Sequence, residues 1–418
     1  MKICSIQFQN FRGLANQTIA FDTNPILFIG ENGSGKSSIL EAIGVGLSWV
    51  VARLGKPNGK GHLLSDRDRR VNTIDLAIQL ELTDQDHSFS LSFSQTKTDT
   101  KARSKNDLTE LNEWANQQRD RFEKELTPSF PILVFYQTNR WVYGSNCDID
   151  SKLNFSNLSQ INVYDHSLKN KIMDFEVFFK WFRYREDIEN EHRSYINPDY
   201  RDPQLETVRS AYESILNGFK NLRVSRVPEA KMIIDKYNDT LVIDQLSDGE
   251  KGLLVLVSDL ARRLSIANSS LANPLQGEGI VLIDEIELHL HPQWQHQVVR
   301  KLCETFPNCQ FILTTHSPQV ITNVEWVYLL NNTEEGSLCE KVRTYGKDSN
   351  RILETLMGTP DRSRLIKDKI DNLFTFIDHN QLEEARRLRG KILEDLREDD
   401  PELVRADWLI KRREVLGR

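Results

Sequence analysis

Ile26-Leu27-Phe28-Ile29-Gly30-Glu31-Asn32-Gly33-Ser34-Gly35-Lys36-Ser37 is the stretch that decides the architecture. Four apolar residues in a row read as a strand buried on both faces. Gly30 to Ser37 fits G-x-x-x-x-G-K-[ST], and the strand before it is the context that this motif requires. Its glycines let backbone N–H groups turn inward around phosphate oxygens, and a helix beginning near Lys36 adds the favourable end of its dipole. Lys36 is placed to pair with β- and γ-phosphates and Ser37 to ligate Mg²⁺, with Asn32, Gly33, Ser34, Gly35 and Ser38 lining the same cradle.

A second apolar run, Ile280-Val281-Leu282-Ile283-Asp284-Glu285, supplies the other half of such a site. A strand buried on both faces delivers Asp284 at its C-terminal end beside the magnesium. Glu285, one residue on, stands where a general base polarises a water for attack on the γ-phosphate. Leu246-Ser247-Asp248-Gly249-Glu250 precedes a helix, and taken alone it is a capped helix start. Phe311-Ile312-Leu313-Thr314-Thr315-His316 ends a further strand in a histidine, which taken alone is more often structural.

The remaining sequence sets bounds. The chain has 418 residues, enough for one large elaborated domain or two domains, and its 39% hydrophobic and 28% charged content reads as globular. Ile26 to Ile29 and Leu253 to Val257 have the size of core elements, no apolar run is expected to span a membrane, and the N-terminus has no secretory pattern, so a cytoplasmic protein is expected. Cys4, Cys147, Cys303, Cys309 and Cys339 include no C-x-x-C and read as reduced. A formal charge of −7 excludes a globally basic nucleic-acid binder but not a local basic face. Candidates for such a face are Lys56, Lys60, Arg67, Arg69 and Arg70, and Lys97, Lys101, Arg103 and Lys105; each is otherwise a surface loop, and DNA contact stays open.

Phosphate loop, long insertion, Leu246–Glu250, Asp-Glu strand and histidine follow one another in the order of ABC ATPases, and Leu246–Glu250 resembles their LSGGE signature. The resemblance covers most of residues 1–320, with Asp248 a departure from the usual serine or glycine. It implies an α/β P-loop NTPase of ABC type with a mixed sheet, a mainly helical insertion and a helical C-terminal tail. It also implies a homodimer or higher homo-oligomer, in which Ser247 and Gly249 of one chain face the γ-phosphate of ATP held by the other. His316 then corresponds to the switch histidine. Phe8-Gln9-Asn10-Phe11-Arg12-Gly13-Leu14 resembles the opening strand of RecF- and SMC-like members, where an arginine at the Arg12 position reaches the nucleotide. Pro131 to Arg140 stands where the glutamine loop belongs, which makes Gln137 the candidate Mg²⁺ and water contact. The domains expected on this basis are an N-terminal lobe (1–95), an insertion (96–235, with the glutamine-loop strand near 131–140), a C-terminal lobe (236–344) and a helical region (345–418). His289 and His291 invite a metal reading, but the spacing differs from H-E-x-x-H and no third ligand is near in sequence. The resemblance makes that loop a dimer-interface crossing instead.

The insertion has no sustained heptads, so coiled-coil arms of the SMC kind do not fit. Tyr345-Gly346-Lys347-Asp348-Ser349-Asn350-Arg351-Ile352-Leu353, Tyr136 to Arg140 and the stretch following Asp284 look like the PtuA-type ATPases of Septu and retron-linked antiphage defence. That likeness implies an ATP-driven sensor with a separate HNH-type nuclease as partner. The acidic tail (Glu398-Asp399-Asp400) lacks the apolar strands of a Toprim nuclease and reads as a solvated helix end. Amphipathic helices around Ile366 to Leu396 are one surface such a partner could use, or they pack on the parent domain or a second subunit. A RecF-like repair ATPase is the alternative.

Overall fold

A computed structural model describes residues 1–85, 87–97, 102–124, 129–138, 160–168, 175–358, 363–396 and 400–416. Cys147, Lys101 and Arg140 lie outside them. The chain forms two compact units, Met1–Ser349 and Asn350–Arg418.

Strands β1 (Lys2–Gln9), β2 (Gln17–Ala20) and β3 (Ile26–Gly30) lead into helix α1 (Lys36–Gly55). Next come β4 (Asp75–Asp84), β5 (His87–Lys97), β6 (Ala102–Asp107), α2 (Thr109–Lys124) and β7 (Ile132–Tyr136). The middle of the chain carries α3 (Phe175–Tyr195) and α4 (Pro203–Ile215), then β8 (Phe219–Ser225), β9 (Lys231–Lys236) and β10 (Asp239–Val242). Helix α5 (Asp248–Ala267) precedes β11 (Gly279–Ile283), α6 (Pro292–Thr305), β12 (Cys309–Thr314) and the single turn α7 (Pro318–Ile321). The hairpin β13 (Trp326–Thr333) and β14 (Gly336–Arg343) follows.

The principal sheet has the order β14-β13-β3-β12-β11-β7, and all its pairings are parallel except β13–β14. Every residue of β3, β7, β11 and β12 is buried, which explains the apolar runs of β3, β7 and β11 and the Phe311–Leu313 run of β12. In this register Ile283 sits opposite Leu313, and Thr314 opposite Phe28. The phosphate loop, Asp284 and Thr314 therefore emerge at one carboxyl edge, where open α/β sheets place their ligands.

An antiparallel sheet, β2-β1-β4-β5-β6, covers the other side of α1. A Cβ on Gly44 would meet Phe135 of β7 at 3.3 Å, and one on Gly46 would meet Leu80 of β4 at 2.9 Å. Helix α1 is thus wedged between the two sheets. By length and composition it is apolar enough to cross a membrane, alone among the described helices, which corrects the sequence expectation that no run reaches that size. Its burial between two sheets makes it the core helix.

Two strand pairs were not expected from the sequence. In β8 the alternation of Phe219, Leu222 and Val224 is broken by a register shift between Lys220 and Arg223, with Asn221 at φ 54°. β13 and β14 are an edge hairpin whose outer strand carries Glu340, Lys341 and Arg343.

The second unit contains α9 (Arg364–Asp378), α10 (Leu382–Leu396) and α11 (Pro401–Leu416), preceded by α8 (Ser349–Leu356), which straddles the boundary. Ile370, Leu373, Ile377, Ala385, Ile392, Leu403, Ala406 and Ile410 form its core. The apolar faces of α9 and α10 are therefore spent on one another and on α11, where the sequence left them available to a partner.

Helix α5 is tied to β7 by a buried charge cluster. Asp259 accepts from Arg262 Nη2 (2.7 Å), Arg263 Nε (2.8 Å) and the Tyr136 hydroxyl (2.9 Å). Burial alone would raise the Asp259 pKa, but the two guanidinium groups hold it well below the usual carboxylate range. Asp259→Ala strands two buried cations and is expected to cost about 3–5 kcal/mol, against about 1 kcal/mol for Tyr136→Phe, as measured by urea unfolding.

Candidate nucleotide-binding site

Gly35 stands at the N-cap of α1 with φ 96°, in the left-handed region, and a Cβ there would come within 2.7 Å of Leu14 Cδ2. Only glycine turns the chain into the helix under that contact. Lys36 is 5% exposed, and its Nζ donates to the carbonyls of Gly30 (2.9 Å) and Glu31 (2.7 Å) and to Ser34 Oγ (3.4 Å). Burial pushes its pKa down to about 8, with Asp284, Glu285 and Glu287 opposing the shift. The ammonium is curled over its own loop and poised for a stronger anion.

Asp284 is the hub of the opposite wall. Ser37 Oγ donates to Asp284 Oδ1 at 3.1 Å, and Thr314 Oγ1 donates to the same oxygen at 2.6 Å. The Thr314 hydroxyl in turn accepts from the Glu285 N–H at 2.7 Å. Two hard oxygen donors, a hydroxyl and a carboxylate in direct contact, suit Mg²⁺ held partly by phosphate oxygens. Glu285 has φ 49°, a left-handed conformation that a non-glycine residue adopts only when its surroundings impose it.

His316 is brought to this edge by a residue the sequence reading passed over. Glu287 accepts from the His316 N–H at 2.5 Å and from the Thr315 hydroxyl at 2.7 Å, clamping the end of β12 to the turn after β11. Its signal was a third carboxylate two places beyond Asp284-Glu285. Burial, then the nearby Lys36, lower the His316 pKa, so the imidazole is neutral at physiological pH.

Arg12 lies on the outer side of α1. It donates to Ser38 Oγ (3.2 Å) and Asp68 Oδ1 (2.7 Å) and pairs with Glu41 (2.5 Å). Gln137 follows Tyr136, whose carbonyl accepts from the Asp284 N–H at 2.9 Å, so the chain carries it past Asp284. Gln137 and Arg12 line one cavity of about 170 Å³ beside α1. Asn32 and Gly33 are exposed on the loop, and Ser34 is fully buried beneath it.

Ser247 caps α5 through a reciprocal box with Glu250: its N–H and Oγ donate to Glu250 Oε2 at 3.0 and 2.9 Å. The serine itself is exposed. A Cβ on Gly249 would lie 2.3 Å from the His289 carbonyl, so glycine is required for the signature turn to seat on the loop after β11. In that loop His289 has φ 60°, and His291 caps α6, its Nδ1 accepting from the Gln293 N–H at 3.3 Å.

Among the basic candidates, Arg69 is 9% exposed and bonded to Asp66 and Gln95, which corrects its reading as a surface group. Arg103 and Lys105 are exposed on the edge strand β6, where charge also prevents edge pairing.

The buried parallel sheet, its phosphate loop, the Asp-Glu pair at the adjacent strand end and the signature helix define a P-loop ATPase of the ABC type. Residues 26–322 match the family described as "AAA domain, putative AbiEii toxin, Type IV TA system", and the chain belongs to that family. It is 30% identical over 478 aligned positions to the Retron Ec83 probable ATPase of Escherichia coli, covering 99% of this chain and 87% of that protein. To the Retron Vc95 probable ATPase of Vibrio cholerae serotype O1 biovar El Tor it is 32% identical over 363 positions, covering 75% and 70%. The Septu protein PtuA of Bacillus mycoides is 25% identical over 413 positions, covering 93% of this chain and 50% of PtuA. The chain is thus an ATPase related to the retron probable ATPases and similar to Septu PtuA.

Replacing Thr314 by valine removes the hydroxyl that orients both Asp284 and the Glu285 backbone. The Mg²⁺ concentration for half-maximal ATP turnover is expected to rise about tenfold, the usual effect of losing a group behind a metal ligand.

Proposed function

We propose that this ATPase is the sensor subunit of an antiphage defence complex, closing as a head-to-head dimer on ATP and thereby controlling a separate nuclease. The observation that carries the reading is the pairing of a complete phosphate and magnesium wall with a signature serine that is exposed. Ser247 has its cap hydrogen bonds within its own helix start and presents its face outward. A second copy would bring Ser247 and Gly249 to the γ-phosphate.

In this reading Lys36 and the loop from Asn32 to Ser38 hold the phosphates, with Arg12 supporting α1 through Ser38. Ser37 and Asp284 hold Mg²⁺, with Gln137 entering that shell on closure. Glu285 takes the proton of the attacking water, and the imidazole of His316 donates to the γ-phosphate. Ser37 and Asp284 would hold the magnesium, which when bound would supply positive charge against the charge developing on the phosphates. The nuclease is a separate HNH-type protein, a role supported by the likeness to PtuA. Exposed Lys56, Lys60 and Arg67 leave room for DNA near the end of α1.

Lys36→Ala is expected to abolish magnesium-dependent ATP binding. Glu285→Gln should lower turnover by about 10²–10⁴-fold while accumulating an ATP-bound dimer in light scattering. Ser247→Arg should spare ATP binding and block turnover. Unchanged hydrolysis in Glu285→Gln removes the catalytic assignment, and an active monomer removes the composite site.

A further inference from the structure

Behind the signature turn lies a cavity of about 310 Å³ that plays no part in the ATP site. The end of α4, the β9–β10 turn, the first turns of α5 and one face of α6 enclose it. Its volume is at the lower end for a small-ligand pocket.

Three aromatic rings line it. Trp294 stands edge-on to Phe219, with centroids 6.3 Å apart and planes at 86°. Tyr237 is 76% exposed, yet it is not a loose surface side chain. Its φ is 54°, its N–H donates to the Gly218 carbonyl at 2.8 Å, and its ring lies so close over Gly218 that a Cβ there would be 2.5 Å from it. A tyrosine held in a left-handed conformation with its ring toward solvent is a strained, pre-positioned surface. Pre-positioning of this kind favours binding because the ordering cost is already met.

The polar groups are equally selective. Gln293 and Gln297 are four residues apart on α6 and share a face. Neither side-chain amide has a protein hydrogen-bond partner among the described residues, and both line the cavity. Lys236 donates to Glu250 Oε1 at 2.7 Å, while Lys301 bonds only the neutral oxygens of Ser214, Ile215 and Asn217. Two cations against one carboxylate leave the cavity positive. Exposed aromatic faces, unengaged amides and excess positive charge are together the chemistry that receives a base and its phosphate.

We propose that this cavity binds a single nucleotide, its base stacked on the wall of Tyr237 and Trp294, its edge met by Gln293 and Gln297, and its phosphate drawn to Lys236. The occupant is either a free mononucleotide or the unpaired end of a nucleic-acid strand. Binding reaches the ATP site through Glu250. One oxygen of that carboxylate holds Lys236 and the other holds the Ser247 N–H and hydroxyl. A phosphate that takes Lys236 frees Glu250 to shift, and with it the signature serine. This second step rests on Ser247 acting across the dimer; the binding step does not.

The test uses the full chain carrying Lys36→Ala, in EDTA, so that the phosphate loop holds no probe. Calorimetric titration with dTMP and with a short 5′-phosphorylated oligothymidylate is expected to show saturable binding. Tyr237→Ala or Trp294→Leu should weaken it about tenfold, the worth of one base–aromatic stack. The exposed Tyr237→Ala should leave the thermal midpoint without probe unchanged, which separates lost binding from lost fold. Tighter binding of the oligonucleotide identifies a strand end as the occupant, and equal binding a free nucleotide. No saturable binding, indifference to both aromatic substitutions, or capture of an aromatic peptide in place of both probes overturns the site. In the chain with Lys36 intact, dTMP should change ATP turnover about fivefold, and not in Glu250→Gln, which still binds it. Binding without any change in turnover overturns the link to Ser247 and leaves the cavity assignment standing.

Discussion

The hydroxyl of Thr314 sits between two strand ends and serves both. It donates to the Asp284 carboxylate and accepts from the Glu285 N–H, so a single side chain sets the direction of that carboxylate and the backbone of the adjacent glutamate. The contact exists only because β11 and β12 are parallel neighbours in a fixed register. A slip of one residue would turn Asp284 to the opposite face of the sheet. Buried parallel strands resist that slip, since every side chain on both faces has a packing partner. The left-handed turn at Glu285 is stabilised by the same arrangement, with the Ile286 N–H reaching the Thr314 carbonyl at 3.1 Å.

A second constraint holds the signature helix to this edge. Asp259, in the middle of α5, bonds the hydroxyl of Tyr136, and the Tyr136 carbonyl bonds the Asp284 N–H. Arg263 extends the cluster to the carbonyls of Val163 and Asp165. Buried ion clusters add little net stability compared with an apolar core, but they are intolerant of misplacement. The Asp284 carboxylate and the helix that begins at Ser247 are thus both tied to the end of β7.

The parts legible in the sequence are those whose chemistry is local. The phosphate loop is eight consecutive residues, and β3, β11 and β12 announce themselves because burial on both faces demands unbroken apolar runs. The signature could be placed because Leu246–Glu250 are consecutive and resemble LSGGE. What stayed hidden depends on contacts between distant segments. β8 was lost because a bulge at Asn221 breaks its period, and Glu287 because a carboxylate two places after Glu285 has no meaning until β12 is beside it. Arg69 looked like surface charge because Gln95, which buries it, is 26 residues away. The amphipathic pattern of Ile366 to Ile377 was legible as a helix, but its partners in α10 and α11 were not.

The phosphate loop itself carries an imbalance that ATP would resolve. Lys36 is a buried cation whose direct partners are two carbonyls and a hydroxyl, and the carboxylates of Asp284, Glu285 and Glu287 only partly offset its desolvation. A buried ammonium satisfied by neutral dipoles is less stable than one against an anion. The opposite wall has the complementary excess, with three carboxylates converging on the ends of β11 and β12. A triphosphate with magnesium would meet both at once: its oxygens would answer Lys36, and Asp284 would be answered by the metal. Neither ion alone does so, because phosphate without metal adds charge beside the carboxylates, and metal without phosphate adds charge beside the lysine. The electrostatics of the site thus favour the paired ligand over either ion alone.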